Sequence, residues 1–365
     1  MSMMEKDKEY KRAKCFTDPQ SSAMMSIESR WNPVKKWKLC LLALALLGLL
    51  WGCGEKKPMQ YVDYSLFDTV TTIVGYGNSQ EEFEKQAKEI CRDLQTYHRL
   101  FDIYEDYAGI SNLKTINDQA GAAPVTVEPV VLEFLQDCEK YWELTDYRFH
   151  PGMGSLLELW HEARQQAQEN PDRAAIPEKA ARLQAKDHMD MKDMVLDFEN
   201  QTVFLLDPQM KLDVGAIAKG WAAQKICQEA PTGMLISVGG SVCATGPKPD
   251  GTPWTVGIQN PDGEGYLRTV KLSKGAIATS GDYQRFFEVD GKRYHHIIDP
   301  DTTMPSEYWR SVTVICSDAG LADVLSTALF LLPRDKGQAL LEKTGAEALW
   351  LDLDGNLFES PGFPK

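Results

Sequence analysis

Apolar positions divide the chain into a polar leader, one short apolar run and a long mixed body. Residues 1–34 show no apolar period, whereas Leu39–Trp51 is apolar or glycine throughout. Beyond residue 60, apolar residues alternate in some stretches, which indicates strands, and recur every three or four residues in others, which indicates helices. Because strands and helices follow one another without strict alternation, the pattern predicts an α+β fold of mixed β-sheets with packed helices.

Alternating stretches predict most of the strands. Tyr61–Tyr76 is rich in Val, Ile, Thr and aromatic residues, and indicates one strand or two short strands around Phe67-Asp-Thr69. Val195–Leu206 and Arg285–Ile298 each predict a hairpin, the second turning at Asp290-Gly291. Further strands are predicted at Met234–Val238, Trp254–Ile258, Ser311–Cys316, Ala348–Leu351 and Leu357–Phe358.

Helical spacing predicts amphipathic helices along the same body. They are Glu81 to about Phe101, Val130–Trp142, Leu156–Ala167, Ala319–Leu332 and Lys336–Lys343. The turn formers between Tyr104 and Asn117 predict an irregular loop. The charged segment Glu169–Lys192, which contains two prolines, predicts a solvent-facing insertion.

The stretch Met210–Ala223 predicts a strand, a turn at Gly215 and a helix over Ala216–Glu229. The free N–H groups and positive end of a helix that follows such a turn favour a phosphate. Asp213 before the turn and Lys219 inside the helix add a carboxylate and an ammonium group. An ordinary strand-to-helix connection is the alternative interpretation.

The N-terminal region predicts export. Residues 1–34 are polar and of mixed charge, which is typical of a disordered leader. Residues 35–52 combine three lysines with an apolar run of 13 residues; a bilayer span needs about 20, so the pattern indicates a secretory signal peptide. Its ending, Leu50-Trp-Gly-Cys53, resembles a bacterial lipobox.

A lipobox implies that Cys53 becomes the lipidated first residue of the mature protein. Trp51 stands where small residues are usual, so a retained signal anchor is the alternative. Both interpretations place the body outside the cytoplasmic membrane. We therefore expect a protein lipid-anchored to the extracytoplasmic face of the cell membrane, with a tether at residues 53–60 and a catalytic domain at 61–365.

Charge and cysteine content exclude several classes of function. The chain has 39 basic and 53 acidic residues, a formal charge of −14, and the part after Cys53 is more acidic still. Such a body predicts no nucleic-acid partner. The five cysteines beyond Cys53 form no Cys-x-x-Cys pair, so neither a zinc site nor a dense disulfide framework is predicted.

Two side chains on one predicted helix are candidates for a metal site. Asp323 and Thr327 are four residues apart and share a helix face. A carboxylate and a hydroxyl suit Mg²⁺, which prefers oxygen ligands and retains waters or substrate phosphates. Alternatively, Thr327 bonds back to its own helix and Asp323 is a first-turn residue favoured by the helix dipole.

His296 ends a predicted strand and is a candidate general base near neutral pH. It could equally be a partly buried structural residue. His295 is expected to face the opposite side of the strand, so only one of the two can face a common site. Thr279 lies in a polar strand end, Thr279-Ser-Gly-Asp-Tyr283, that predicts either a phosphate or sugar contact or a capped turn.

Several familiar motifs are absent from the sequence. It has no Walker A motif, no dinucleotide-binding glycine pattern and no Gly-x-Ser-x-Gly elbow. Nine other motifs, in order, resemble those of the ApbE-type FAD:protein FMN transferases over about residues 61 to 360. They are Phe67-Asp-Thr69; Tyr104 with Ser111 and Asn117; Phe149-x-Pro151 with Gly154 and Leu156; Leu212-Asp-x-Gly-x-Ile-Ala-Lys-Gly220; Val238-Gly-Gly240; Trp254-x-Val-Gly-Ile258; Ala278-Thr-Ser-Gly-Asp-Tyr283; His296-Ile-Ile-Asp-Pro300; and Ala322-Asp-x-Leu-Ser-Thr327.

The resemblance implies a fold related to the T-fold, and it also implies an activity. Members of the family use Mg²⁺ to split the diphosphate of FAD, attach FMN to a threonine or serine of an exported or membrane flavin-carrier protein, and release AMP. The resemblance implies Mg²⁺ ligation by the Ala216 carbonyl, Asp323 and Thr327, with His296 as base and Asp323 as a second catalytic residue. It implies FAD contacts at Phe67, Tyr104, Arg148, Phe149, His150, Asp213, Lys219 and Ile297, to which the strand-end residue Thr279 is added.

Three departures from the family pattern affect these expectations. His150 stands where aspartate usually precedes the proline, residues 299–305 lack the common Arg-Thr-Gly, and residues 169–192 match poorly. FAD hydrolysis to FMN and AMP, and FAD binding without chemistry, are the alternative functions. The acceptor signature of flavin-carrier proteins does not occur in the chain, which favours the role of modifier.

Overall fold

An eight-stranded antiparallel sheet forms the centre of the fold in a computed structural model that describes residues 57–364. The strands of the chain are β1 (Pro58–Leu66), β2 (Thr69–Tyr76), β3 (Val125–Thr126), β4 (Met194–Asp197), β5 (Thr202–Leu205), β6 (Leu235–Val238), β7 (Ser241–Ala244), β8 (Trp254–Gln259), β9 (Tyr266–Leu272), β10 (Gly275–Gly281), β11 (Phe286–Val289), β12 (Lys292–His295), β13 (Trp309–Cys316), β14 (Glu347–Asp352) and β15 (Leu357–Glu359). The central sheet has the order β1-β2-β6-β7-β10-β13-β14-β15.

The α-helices are α1 (Gln80–Phe101), α2 (Leu113–Asp118), α3 (Pro129–Leu144), α4 (Gly154–Glu169), α5 (Lys179–Lys186), α6 (Ala218–Glu229), α7 (Ala319–Phe330) and α8 (Arg334–Thr344). Helices α1, α6, α7 and α8 cover one face of the central sheet with apolar side chains such as Phe83, Ile226 and Leu329. The other face packs against the β8–β9 pair through Trp254 and Ile258.

Two smaller clusters extend this core. Helices α2 and α3 pack with the three-stranded sheet β3-β5-β4 around Leu113, Phe134 and Val203. Helices α4 and α5 pack against the β11–β12 hairpin around Trp160 and Phe287. Helix α4 also contacts the segment that leads to α6, because Gly154 N donates to Lys211 O at 2.9 Å.

The structure confirms the predicted α+β arrangement and most of its elements. The first strand region forms two strands joined at Phe67 and Asp68, whose positive φ angles of 52° and 50° make the tight turn. Both predicted hairpins form. Strands β3, β7 and β9 were not predicted; β3 has only two residues, and β7 is buried throughout and therefore shows no alternation.

The strand predicted at the start of Met210–Ala223 was wrong. Lys211 makes one isolated bridge, to Met153, and residues 212–217 form an extended segment and a turn before α6 begins at Ala218. The Asn117 side chain takes the place of a partner strand: its amide donates to Leu212 O at 3.0 Å and its oxygen accepts from Leu212 N at 2.7 Å.

Three further boundaries need correction. The loop predicted between Tyr104 and Asn117 contains the start of α2, which the buried Asn112 nucleates with a capping box. The segment 169–192 is not merely solvent-facing, because it contains α5 and buries Arg182 and Met189. Residues 58–60 of the predicted tether belong to β1, which begins at Pro58.

The predicted leader at 1–34, signal peptide at 35–52 and lipidated Cys53 lie outside the described residues. Within residues 57–364, no helix combines the length and apolar character needed to cross a membrane.

Replacing Asn112 with alanine should destabilise the protein more than replacing Ser79, the exposed N-cap of α1. Asn112 is fully buried and its side chain also donates to Glu105 O at 2.8 Å, so its loss removes the partners of Thr115 N and Glu105 O from the interior. We expect a loss of about 2 kcal/mol for Asn112→Ala and about 1 kcal/mol or less for Ser79→Ala, measured by urea unfolding. Equal losses would contradict the role given to the buried cap.

Candidate active site

Asp323 lies at the centre of the candidate site, where α6, β7 and α7 meet. Its carboxylate accepts from the Gly220 N–H at 2.7 Å and from the Ser241 hydroxyl at 2.6 Å. Burial raises the pKa of this carboxyl, whereas Lys219 and the two donors favour its charged form. The predicted helix face therefore holds a buried carboxylate that is bound by donors from two other elements.

Gly220 is required where α6 crosses α7. A Cβ atom at this position would lie 2.2 Å from Ala319 O and 2.7 Å from the Asp323 carboxyl carbon. Only a residue without a side chain allows the Gly220 N–H to reach Asp323.

The turn before α6 supplies a carbonyl, a carboxylate and an ammonium group. In a regular helix the Gly220 N–H would donate to the Ala216 carbonyl, but here it donates to Asp323. The Lys219 ammonium contacts Gly215 O at 3.2 Å, and Asp213 accepts from Gly215 N at 2.9 Å. The ammonium of Lys219 also stabilises the charged forms of both Asp213 and Asp323 against the pKa increase that burial causes.

Hydroxyl groups from β10 and α7 lie beside Asp323. Ser280 Oγ is 3.2 Å from Thr327 Oγ1 and 2.8 Å from Ser326 Oγ, and Ser326 donates to Asp323 O at 2.8 Å. Thr327 therefore contacts a neighbouring strand through its hydroxyl. The predicted contact residue Thr279 does not join this group, because its hydroxyl lies 2.8 Å from that of Thr313 on the opposite face of the sheet.

His296 directly follows β12, and the two histidines face different surroundings as strand alternation predicts. His295 is buried, with Nε2 donating to Ser306 O at 2.8 Å. The Nδ1 atom of His296 lies 3.3 Å from Arg285 O. A carbonyl oxygen only accepts, so this contact assigns the proton to Nδ1 and leaves the lone pair on Nε2.

Burial, with Arg285 and other cations nearby, lowers the pKa of His296 to about 3. Its imidazole is therefore neutral at neutral pH, as a proton acceptor must be.

Two arginines that sequence reasoning missed contribute positive charge near His296. Arg285 and Arg164 both lower the pKa of His296, and Arg285 also stabilises the charged form of Asp213. Arg164 Nη2 lies 2.8 Å from His161 Nδ1, and the His161 ring lies 5.7 Å from that of Tyr104. The signal in the sequence was the spacing of His161 and Arg164, which places them on one face of α4.

Tyr104 and Phe67 present different surfaces near these groups. Tyr104 is 57% exposed, so its ring can receive a planar ligand. The Phe67 N–H donates to His98 Nδ1 at 3.2 Å, and the two rings pack edge to face. Phe149 and Ile297 are buried, so backbone atoms are what they can offer a ligand most directly.

Arg148 and His150 line a separate cavity of about 330 Å³ with Trp142 and Tyr147. Asp323 does not line that cavity. Arg148 pairs with Asp299 at 3.5 Å and with Asp301 at 2.5 Å. Burial lowers the pKa of His150 to about 4, and its Nδ1 has no hydrogen-bond partner among the described residues.

The residues around Asp323 fit a magnesium ion better than a softer metal. Within residues 57–364, no group of three or more His, Cys, Asp or Glu side chains is arranged to hold a metal. The donors present are one carboxylate, hydroxyls and backbone carbonyls. Mg²⁺ accepts such a sparse oxygen set because waters and substrate phosphates complete its shell.

Comparison with known proteins identifies the family. The ApbE family model matches residues 67–350. The chain belongs to the ApbE family. It is 36% identical over 349 residues to the FAD:protein FMN transferase of Treponema pallidum (strain Nichols), with 89% of this chain and 94% of that protein covered. It is 34% identical over 256 residues to one from Klebsiella pneumoniae (strain 342), with 67% and 77% covered.

Solved structures agree with this assignment and with the predicted fold. The crystal structure of the ApbE protein from Thermotoga maritima matches with a TM-score of 0.75 and 32% identity, over 85% of this chain and all of that one. The flavin transferase ApbE from Vibrio cholerae matches with a TM-score of 0.70 at 23% identity, over 84% and 98% of the two chains. The resemblance inferred from nine motifs is confirmed at the level of family and fold.

Gly220→Ala should destabilise the protein and disturb Asp323, because the new methyl group collides with Ala319 O and the carboxyl carbon. We expect a loss of about 2 kcal/mol or more in the free energy of unfolding. The matched control is Gly320→Ala in α7, whose Cβ would lie 3.3 Å or more from its neighbours. Its effect should be within about 1 kcal/mol, since alanine favours helix. Similar effects of the two changes would contradict the close crossing.

His296 should make the protein less stable as the pH falls. Its folded pKa of about 3 lies below the usual value of 6.5, so between these values the unfolded chain binds more protons and stability declines with decreasing pH. We expect His296→Asn to reduce this decline, measured by urea unfolding from about pH 7 to pH 5. A His296 imidazole NMR resonance, assigned by its loss in His296→Asn, that titrates near pH 6.5 would contradict the lowered pKa.

Proposed function

We propose that the protein is an FAD:protein FMN transferase that attaches FMN through a phosphoester to a threonine or serine of a carrier protein and releases AMP. The observation that carries the proposal is the buried Asp323 carboxylate, held by Gly220 and Ser241 beside Lys219 and the hydroxyl of Thr327. The names of the family relatives support the same activity.

The substrate diphosphate is bound by positive charge in this proposal. The Lys219 ammonium and the N–H groups at the start of α6 favour an anion. Arg164 and Arg285 add two guanidinium groups near Asp213 and His296. This local charge counteracts the net negative charge of the chain, so a dianionic substrate can approach.

Proton transfer is assigned to His296. Its neutral Nε2 accepts the proton of the carrier hydroxyl while that oxygen forms a bond to the phosphorus attached to riboflavin. The bond from this phosphorus to the oxygen bridging to AMP breaks, and AMP leaves with the bonding electron pair. The carrier thereby gains FMN, and the proton remains on His296 until it passes to solvent.

Asp323, Thr327 and the Ala216 carbonyl would hold Mg²⁺. When bound, the ion would neutralise diphosphate charge and stabilise the negative charge that develops on the leaving phosphate. Ser241 and Gly220 orient the Asp323 carboxylate for that task, and Ser280 orients the hydroxyl of Thr327.

The proposed location rests on the predicted signal peptide at residues 35–52 and on Cys53. A lipid on Cys53 would anchor the body at the extracytoplasmic face of the cell membrane, near exported or membrane flavin carriers. The lipobox-like Leu50-Trp-Gly-Cys53 supports this proposal. Replacement of Cys53 by serine should release the protein from the membrane fraction.

The decisive test supplies FAD, Mg²⁺ and a flavin-carrier domain to the protein. The carrier should gain the mass of FMN while AMP appears in equal amount. AMP formed at the same rate without carrier would instead favour FAD hydrolysis. Intact FAD after long incubation with carrier and Mg²⁺ would favour binding without chemistry. It would contradict both FMN transfer and FAD hydrolysis.

Asp323→Ala should abolish transfer while the protein remains folded, because the carboxylate is the one charged donor proposed for Mg²⁺. We expect a loss of more than about a hundredfold in the transfer rate, with little rescue by added Mg²⁺. Asp335→Ala, which removes an exposed carboxylate from α8, is the matched control and should keep the rate of the unaltered protein. An unchanged rate for Asp323→Ala would remove this residue from the site.

A further inference from the structure

Thr303 has a backbone conformation that its side chain disfavours. Its φ angle is +60°, a left-handed value that β-branched residues rarely adopt. The residue is also almost fully buried, at 1% exposure. A glycine would adopt this conformation without strain, so contacts from the surrounding structure must hold Thr303 in place.

Arg182 of α5 provides two of those contacts, including the one to the Thr303 side chain. Its Nη1 atom lies 2.9 Å from Thr303 Oγ1 and 3.3 Å from Thr303 O, which also accepts from Trp160 Nε1 at 3.2 Å. The Nε atom of Arg182 donates to Pro177 O at 3.0 Å. The guanidinium therefore binds both the side chain and the carbonyl of the strained residue.

The environment of Arg182 is unusual for a charged group. The side chain is 7% exposed, its partners are carbonyl and hydroxyl oxygens, and no ion pair between described residues includes it. A buried charge without a carboxylate partner is costly to fold. An apolar side chain would fill the same space equally well. The guanidinium is therefore better explained by its hydrogen bonds, which hold Thr303 in position.

The turn that contains Thr303 directly follows His296 and Ile297. Thr303 N donates to Asp299 O and Asp299 N donates to Met304 O, both at 2.8 Å, which closes the turn. Ser306 N donates to Ile297 O at 3.2 Å, so the end of the turn returns to the residue beside His296.

The same turn carries the partners of Arg148. Asp299 and Asp301 both pair with its guanidinium, and Lys186 of α5 donates to Asp301 O at 2.8 Å. The conformation of residues 299–304 therefore affects both the surroundings of His296 and the partners of Arg148.

We propose that Arg182 is a positioning residue for the flavin transferase site: by holding Thr303 in its left-handed conformation, it fixes the turn at residues 299–304 and, through that turn, His296 and Arg148. This inference rests on the proposed function for its kinetic consequence. It gives the segment 169–192 a role, as a brace for the turn.

The test compares Arg182→Met, Arg182→Gln and the double variant Arg182→Met with Thr303→Gly, all in the full chain. Arg182→Met removes every donor while it keeps an unbranched chain. We expect kcat/KM for FAD, measured at saturating carrier and Mg²⁺, to fall about tenfold. A loss of this order is expected when the backbone strain of one left-handed threonine is no longer held by its contacts. The double variant should recover most of the loss, because glycine adopts φ +60° unaided.

Amide hydrogen exchange provides a readout that does not depend on activity. The Thr303 amide, which donates to Asp299 O, should exchange faster in Arg182→Met and return towards the rate of the unaltered protein in the double variant. Arg182→Gln keeps an amide donor and should lie between the two. Lys179→Met, at an exposed position on the same helix, is the matched control and should leave both readouts unchanged.

Each outcome decides the inference. It is overturned if Arg182→Met matches the unaltered protein in both amide exchange and kcat/KM, or if adding Thr303→Gly to Arg182→Met restores the exchange rate without restoring kcat/KM. If Arg182→Met does not fold, Arg182→Gln with and without Thr303→Gly gives the same comparison. If the unaltered protein transfers no FMN, the proposed function fails, while the exchange data still show whether Arg182 holds the turn.

Discussion

The hydrogen bonds of the Asp323 carboxylate join the parts of the molecule on which the site depends. A buried carboxylate is stable only where donors replace the water it has lost. Here the donors come from the start of α6 and from β7, so one side chain of α7 fixes both elements. The requirement reaches back into the sequence, because Gly220 must lack a side chain for its N–H to approach.

The candidate site contains several positively charged side chains, although the net charge of the protein is negative. The chain is acidic overall, yet Lys219 lies near the carboxylate of Asp213, Arg164 lies near the imidazole of His296, and Arg285 lies near both. Arg164 and Arg285 lower the pKa of His296 further than burial alone, which keeps the imidazole neutral. The same cations would bind a diphosphate, so substrate binding and the protonation state of His296 have a common electrostatic cause.

The substrate region receives support from a segment whose composition suggests a solvated surface. Residues 169–192 are rich in charge, but Arg182 and Lys186 direct their charged ends at backbone carbonyls of residues 301–303. Long basic side chains can bury their aliphatic stems while the charged end binds oxygen atoms. Charge content alone therefore did not distinguish an exposed helix from one that braces a turn.

The sequence by itself determined the family, the α+β class and most elements, because hydrophobic period and turn chemistry are local properties. It also identified Asp323, Thr327 and His296, whose residue types suit the proposed chemistry. It misassigned the strand at Met210–Val214, where the Asn117 side chain replaces a neighbouring strand from 95 residues away.

Only the tertiary structure decided which candidates meet. It placed Ser280 rather than Thr279 beside Thr327, since residues alternate across a strand and only the register shows which face is covered. It also placed Arg164 and Arg285 near His296, and Arg148 and His150 in a cavity that Asp323 does not line. Contacts between distant segments depend on packing and register, which the local pattern of a single sequence does not specify.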